Sequence, residues 1–180
     1  WPTTARTNKV FVRLMESAPE GDWWILLDLD KNNLFGEGWE SIEEQSVVLT
    51  ASLASKGLRN RKAVGLITNS KDAAWIHPQK GEGQRWEILQ SLALSQPGEL
   101  GLDKTLERIQ SSLGRHHSLI IITASTKTDW LKTLLPLVKR GIVPTVLLLD
   151  ASTFGGKESP ALVAANLEGR GIKYHIISRG

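Results

Sequence analysis

The sequence predicts a three-layer α/β/α sandwich with a mostly parallel central sheet and one antiparallel edge hairpin. Strand-like apolar runs alternate with amphipathic helical segments from Trp23 onward, which is typical of right-handed crossovers in an α/β domain. Trp23–Leu29 and Ser118–Thr123 are short and continuously apolar, as strands buried on both faces are. Lys62–Asn69 and Ala73–Ile76 are too close together for a helical crossover, so we expect them to pair as a hairpin.

The composition is that of a single globular domain. The chain has 180 residues, of which 41% are hydrophobic and 23% charged, so it can bury a sizeable core. It has no Cys, which excludes disulfides and cysteine-ligated metals. The net charge of +3 is slight and evenly spread along the sequence, which favours solubility and argues against a nucleic-acid partner. No apolar run approaches the ~20 residues of a membrane span.

The first residues predict a strand and a connector that precede the sandwich. Lys9–Met15 has the alternation of a strand, and the turn-rich segment Glu16–Asp22 follows it. We therefore divide the chain into residues 1–22, an amino-terminal strand and connector from a larger parent protein, and residues 23–180, the sandwich domain. Because the sequence begins with Trp1 and has its only Met at position 15, we expect it to be a piece of that larger protein.

The first helix is predicted over Ile42–Lys56. Ser41 followed three residues later by Glu44 has the spacing of a capping box at the start of this helix. Gly57 suits the left-handed position just after a helix end. Apolar residues at helical spacing define its buried face: Val47, Ala51, Ala54 and Leu58.

The remaining elements follow from the same signals. Helices are predicted over Gln84–Ser95, from a cap at Asp103, over Asp129–Arg140 and over Ser159–Leu167, and strands over Val143–Asp150 and Ile172–Ile177. In the segment Gln84–Ser95 the apolar residues are Trp86, Leu89 and Leu92. Most of the seven Trp residues therefore predict packing, whereas Trp39 stands in a polar loop.

Polar side chains gather where the predicted strands end. Ligands of open α/β sheets bind outside the carboxyl ends of the strands, and Asp28 and Asp30 lie there. Oxygen ligands around two carboxylates suit Mg²⁺, whereas the alternative is that Asp30 and Asn32 only shape a turn. We expect at most weak Mg²⁺ binding at these two aspartates and otherwise no cofactor.

The order of motifs resembles the von Willebrand factor A-like fold, a Rossmann-like architecture in which a strand ending in Asp-x-Ser-x-Ser is followed by a helix and a hairpin. The chain is more specifically similar to the bacterial domain of unknown function 58 (DUF58). The matching segments are Trp1-Pro2-Thr3-Thr4-Ala5-Arg6-Thr7, Val10-Phe11-Val12-Arg13, Trp24–Asp30, Ala51-Ser52-Leu53-Ala54, Ala63-Val64-Gly65-Leu66 and Trp130. The resemblance implies a degenerate metal site at Asp28, Asp30, Asn32 and Thr123, with the two serines and the usual threonine replaced.

The same resemblance implies a function. Proteins of this family are often encoded beside MoxR-type AAA+ ATPases, so we expect a non-catalytic protein-interaction module with such a partner. We expect a cytoplasmic domain whose parent is attached to the inner membrane. Recognition is predicted at three loops that leave neighbouring strands, Asp30–Trp39, Ser125–Asp129 and Ala151–Lys157, with Trp39, Ser125, Asp129 and Phe154 as the contact residues.

An enzyme is the alternative interpretation of the two aspartates. Asp-x-Asp after an apolar strand is similar to the first motif of haloacid-dehalogenase-like phosphatases, in which the first Asp is the nucleophile and the second the general acid/base. Asp28 and Asp30 would take these roles in a Mg²⁺-dependent phosphatase, with Thr123 binding the phosphate. Lys31 and Asn32 depart from that motif, and Asp150 stands alone where an acidic pair is needed. We therefore favour the interaction module.

Overall fold

The central sheet of the computed structural model, which describes residues 21–115 and 117–179, has six strands in the order β3-β2-β1-β4-β5-β6. The strands are β1 (Trp23–Leu27), β2 (Val64–Thr68), β3 (Trp75–Gln79), β4 (Ser118–Thr123), β5 (Val143–Leu149) and β6 (Lys173–Ile177). The helices are α1 (Ile42–Arg59), α2 (Glu82–Leu94), α3 (Leu102–Ile109), α4 (Asp129–Lys139) and α5 (Ala161–Glu168). The described residues thus confirm the predicted α/β/α sandwich.

The continuously apolar runs are central and parallel, as predicted. β1 lies between β2 and β4, and β4 lies between β1 and β5, all in parallel register. Every residue of β1, β2 and β4 is buried, because helices cover both faces of the sheet. β2 and β3 form the predicted antiparallel hairpin at the edge of the sheet.

Alternate residues of β1 enter two separate cores. Trp23, Ile25 and Leu27 pack with α1 and α2 on one face of the sheet. Trp24 and Leu26 pack on the other face with α3, α4 and α5. Because its side chains enter both cores, β1 lies in the middle layer, and its carboxyl end lies at one edge of the sheet. We call that edge, where β1, β2, β4, β5 and β6 end, the carboxyl edge, and the opposite one the amino edge.

The start of α1 agrees with its prediction and its end does not. Ser41 Oγ accepts a hydrogen bond from the Glu44 N–H at 3.2 Å, which caps the helix. The helix continues through Gly57 to Arg59. The left-handed backbone conformation that follows the helix is adopted by Arg61 (φ 62°), and not by Gly57 as predicted. Gly57 is needed for space, since a Cβ there would lie 2.9 Å from the Trp23 ring and from Val64.

Two further expectations need correction. Trp86 is 66% exposed, and the buried side chains of α2 are Gln84, Ile88 and Leu92. Gln84 turns inward because its Nε2 donates to the carbonyl oxygens of Val64 (2.6 Å) and His77 (2.8 Å), beside a register shift between β2 and β3. The cap of α3 is Gly101, and Asp103 stands in its first turn.

The predicted strand Lys9–Met15 and most of the connector Glu16–Asp22 lie outside the described residues. The division of the chain at residues 22 and 23 therefore stays a prediction. Among the helices that the structure describes, none has the length and apolar character needed to cross a membrane.

Candidate functional site

The carboxyl edge brings two of the predicted site residues, Asp28 and Thr123, together with Asn69. Asp28 follows β1, Asn69 follows β2, and Thr123 is the last residue of β4, so the three neighbouring strands deliver them to one point. All three are buried, and Asp28 is only 2% exposed. We call these three residues the Asp28 cluster.

The Asp28 carboxylate accepts four hydrogen bonds. Its Oδ1 accepts from Asn69 Nδ2 at 2.6 Å and from the Asp30 N–H at 3.2 Å. Its Oδ2 accepts from Thr123 Oγ1 at 2.6 Å and from Asn33 Nδ2 at 3.3 Å. Each carboxylate oxygen therefore has two donors of the protein itself, and the group ties together the ends of β1, β2 and β4.

Asn69 extends this network to the loop before α3. Its Oδ1 accepts from the Leu29 N–H at 2.5 Å, which fixes the orientation of the amide. Its Nδ2 donates to Asp28 and also to the Leu100 carbonyl oxygen at 2.8 Å. The sequence placed Asn69 at a strand end but gave no sign of this role, because its partners are 31 to 41 residues away.

The side chains of Asp30 and Asn32 form a hydrogen-bonded pair of their own beside the Asp28 cluster. Asp30 Oδ1 accepts from the Asn32 N–H at 3.0 Å and from Asn32 Nδ2 at 2.8 Å, which is an Asx turn that begins a short 3₁₀ turn. The turn that the sequence predicts as the alternative to metal binding is thus present. The carboxylates of Asp28 and Asp30 are joined only through the Asp30 N–H.

The residues of the implied metal site do not fit a cation as they are arranged. A Mg²⁺ ion needs about six oxygen ligands around an open position. The Asp28 oxygens face N–H and O–H donors, and Asn32 directs its amide nitrogen, which cannot ligate a cation, at Asp30. Among the described residues, no group of three His, Cys, Asp or Glu side chains is placed to hold a metal ion.

Burial and hydrogen bonding act in opposite directions on Asp28. Burial raises the pKa of its carboxyl above the ordinary value of 3.8, and the nearby Asp30 charge adds to the rise. The hydrogen bonds from Thr123, Asn69 and the Asp30 N–H favour the ionised form and oppose it. Burial is the larger effect, so Asp28 holds its proton to a higher pH than an exposed aspartate does.

A glycine lets the next loop approach this cluster. Asp30 and Gly98 form an isolated β-bridge, in which the Gly98 N–H donates to the Leu29 carbonyl and the Lys31 N–H to the Gly98 carbonyl. A Cβ on Gly98 would overlap the carbonyl oxygen of Asn69. Only glycine allows this approach, which brings the α2–α3 loop against the end of β1.

The predicted contact residues divide into exposed and buried ones. Trp39 is 83% exposed, and the Asp129 side chain is exposed beside Lys132. Ser125 is buried, and its N–H donates to Thr123 Oγ1 at 3.0 Å. Phe154 is 3% exposed and belongs to the core on the α1 side. Phe154 and Ser125 therefore support the loops from beneath, which corrects the expectation that they face a partner.

A groove lies beside the Trp39 loop. It has a volume of about 150 Å³ and is lined by Lys31, Leu34, Phe35, Gly36, Ser41, Glu43 and Pro97. Partial burial raises the pKa of Glu43 in its wall, and Glu44 adds to the rise. Lys31 at the rim forms an exposed ion pair with Glu99 at 2.5 Å. The groove joins the Trp39 loop to the loop held by Gly98.

The comparisons with known proteins agree with this architecture. The family described as "Protein of unknown function DUF58" matches residues 1–154 of the chain. The chain belongs to the DUF58 family. No curated protein matches this DUF58 chain.

Solved structures show the fold of the DUF58 domain at low sequence identity. An aerotolerance-related membrane protein from Bacteroides fragilis NCTC 9343, with multiple mutations to serines, matches with a TM-score of 0.56 and 19% identity, over 71% of this chain and 67% of that one. The SpRpn10 VWA domain matches with a TM-score of 0.53 and 12% identity, over 88% and 87%. Proximal thread matrix protein 1 from the mussel byssus matches with a TM-score of 0.52 and 10% identity, over 73% and 38%. The von Willebrand factor A-like fold is thereby confirmed.

Proposed function

We propose that this DUF58 domain is a non-catalytic protein-interaction module that recognises its partner through the carboxyl edge, with Trp39 as the main anchor. The observation that carries this proposal is the exposure of Trp39 on an ordered loop. The Trp39 carbonyl accepts from Gln45 Nε2 at 3.0 Å, and Glu40 forms an ion pair with Arg179. These two contacts hold the loop around Trp39 in place, while the Trp39 ring itself is exposed to solvent. Large aromatic side chains presented in this way are common anchors of interfaces.

The Asp28 cluster supports the proposal from beneath. Its hydrogen bonds join the ends of β1 and β4, from which two of the three recognition loops leave, so the position that other domains of this fold use for a metal ligand serves here to fix these two loops. Loops on a rigid scaffold can present side chains with little loss of entropy on binding. The likeness to a VWA domain such as that of SpRpn10 is consistent with an interaction module.

The partner that we propose is a MoxR-type AAA+ ATPase, in the cytoplasm, with the parent protein attached to the inner membrane. These three points come from the family resemblance, and the name of the membrane protein from Bacteroides fragilis is in keeping with the last of them. Lys31, Glu43 and the apolar floor of the groove would then contact the same partner as Trp39, because the groove and the Trp39 loop adjoin.

A Trp39→Ala variant should lose binding to a purified MoxR-type ATPase by about 30-fold or more, as expected for an interface anchor. Its melting temperature should stay within about 2 °C of the wild type, since the ring contributes little to the core. The measurement is affinity by biolayer interferometry together with thermal unfolding.

Trp86→Ala is the matched control for this experiment, because Trp86 is also largely exposed but lies on α2, outside the carboxyl edge. It should bind the ATPase like the wild type. Equal losses in the two variants would contradict a specific role of Trp39. A wild-type chain that does not bind would contradict the choice of partner.

We also propose that the domain has no phosphatase activity. A nucleophilic carboxylate must reach the phosphorus atom, whereas both oxygens of Asp28 are buried and occupied by donors. We expect no turnover of 4-nitrophenyl phosphate with Mg²⁺ above that of the Asp28→Asn variant. Hydrolysis by the wild type that this substitution abolishes would establish the enzyme instead.

A further inference from the structure

We propose that the amino edge of the domain docks on a membrane surface that contains anionic lipid headgroups. The charges that look evenly spread in the sequence are separated in the fold. The amino edge is formed by residues 21–22, 59–63, 80–82, 110–115, 139–142 and 168–173, which contain nine basic and three acidic residues. The segments of the carboxyl edge, 28–44, 69–74, 95–104, 124–129, 150–160 and 178–179, contain six basic and twelve acidic residues.

The loops of the amino edge form one continuous surface. The Trp23 N–H donates to the Ala63 carbonyl, the Ser118 N–H to that of Asp22, and the Val143 N–H to that of His117, which aligns the starts of four strands. Arg140 then reaches from the end of α4 to the carbonyl oxygens of Gln110 and Leu113. The basic residues therefore extend across the width of the sheet, about 25 Å for six strands.

Helix dipoles do not cancel this charge. The carboxyl ends of α1, α3, α4 and α5 all lie at the amino edge, and each contributes roughly half a negative charge. Their sum of about −2 is well below the surplus of six basic residues. Cations that merely complemented the dipoles would not leave such an excess. The edge therefore stays positive and attracts anions.

The width of the basic edge favours a lipid surface over a nucleic acid. Among the described large apolar side chains that are exposed, Trp86 and Val143 lie toward this edge. Binding to single strands uses successive aromatic rings in a groove, whereas a wide basic surface with one tryptophan suits the interface of a membrane. The chain before β1 also joins the domain here, at Asp22. The carboxyl edge would then face away from the lipid.

The test compares two triple charge reversals in the 180-residue chain. Arg59→Glu, Arg115→Glu and Lys173→Glu change the amino edge at exposed side chains, and Lys71→Glu, Lys127→Glu and Lys157→Glu make the same change of net charge at the carboxyl edge. The two edges are about 20 Å apart along the strands, which exceeds the ~8 Å Debye length in physiological salt. An effect of net charge alone would be equal in the two variants.

Binding is measured by co-sedimentation with vesicles of phosphatidylcholine, alone or in an equal mixture with phosphatidylglycerol. We expect the wild type to bind only the mixed vesicles and the amino-edge variant to bind them about 100-fold more weakly. The carboxyl-edge variant should stay within about threefold of the wild type. Circular dichroism verifies that each variant is folded.

Three results would overturn the proposal. The first is a wild type that does not bind the mixed vesicles, and the second is an equal loss in the two variants. The third is that the wild type binds a short DNA duplex as tightly as it binds the vesicles, and that the amino-edge variant loses both kinds of binding equally. A nucleic acid would then be the partner. None of these results depends on the ATPase or on Trp39, so the proposal stands or falls independently of the proposed function.

Discussion

The Asp28→Ala variant of this DUF58 domain should be less stable than the wild type by about 3–5 kcal/mol, since buried donors of Asn69 and Thr123 lose their acceptor. Asp28→Asn should cost only about 1–2 kcal/mol, because its oxygen can still accept from Asn69 Nδ2 and its amide can donate to Thr123 Oγ1. Urea unfolding of the three proteins measures both differences. Added Mg²⁺ should not change them, because we propose no resident ion at this site.

The pH dependence gives an independent check on Asp28. Its pKa in the folded domain lies above the unfolded value of 3.8, so the folded state binds this proton more tightly than the unfolded chain does. The stabilising contribution of Asp28 is therefore complete below pH 3.8 and decreases as the pH rises through the folded-state pKa. The stability advantage of the wild type over Asp28→Asn should shrink over that range.

The opposite outcome would assign Asp28 a different role. Catalytic and binding residues often destabilise the folded state, and replacing them then increases the free energy of unfolding. If Asp28→Ala unfolds at the same or a higher urea concentration than the wild type, the Asp28 cluster is not what holds the carboxyl edge together.

Gly98→Ala should reduce the free energy of unfolding by about 3 kcal/mol, because the new methyl group would overlap the Asn69 carbonyl oxygen. Neither backbone can move freely, since the bridge to Asp30 fixes one and the end of β2 the other. The recognition loops should loosen as well, with faster amide exchange at Lys31 and Gly98. Thermal unfolding and hydrogen exchange measure the two effects.

Gly83→Ala is the control for this substitution. Gly83 lies in α2, and a Cβ there would meet no atom within 4 Å. Alanine at such a position should stabilise the domain by up to about 1 kcal/mol. An equal loss of stability in the two variants would contradict a specific effect of the contact between residue 98 and Asn69.

Apolar runs and local capping signals were sufficient to predict the layers of the fold. The run Trp23–Leu27 has no polar residue to face solvent, so it can only be a central strand between helical layers. Ser41 and Glu44 are three residues apart and satisfy the start of α1 within one turn. The spacing between β2 and β3 leaves room only for a hairpin. In each case the decisive interaction lies within a few residues.

The same local signals failed where burial depends on another element. Trp86 and Ile88 are both apolar residues of α2, but only Ile88 is buried. The hydrogen bonds of Gln84 to β2 and β3 fix the rotation of the helix, and Ile88 lies one turn further on the same face. Phe154 lies in the segment after β5, where the sequence predicts an exposed loop, yet its side chain is buried in the core on the α1 side. The end of α1 was misplaced because Gly57 is required by Trp23 and Val64, and not by a turn.

Hydrophobic periodicity and the order of motifs along the chain are enough to predict an α/β sandwich of the DUF58 family with Asp28 and Thr123 at the ends of central strands. What those residues do depends on contacts between distant parts of the chain. Asp28, Asn69 and Thr123 are up to 95 residues apart, and their hydrogen bonds exist only once three strands lie side by side. The separation of charge between the two edges likewise appears only when the strand order brings alternate loops to the same end of the sheet.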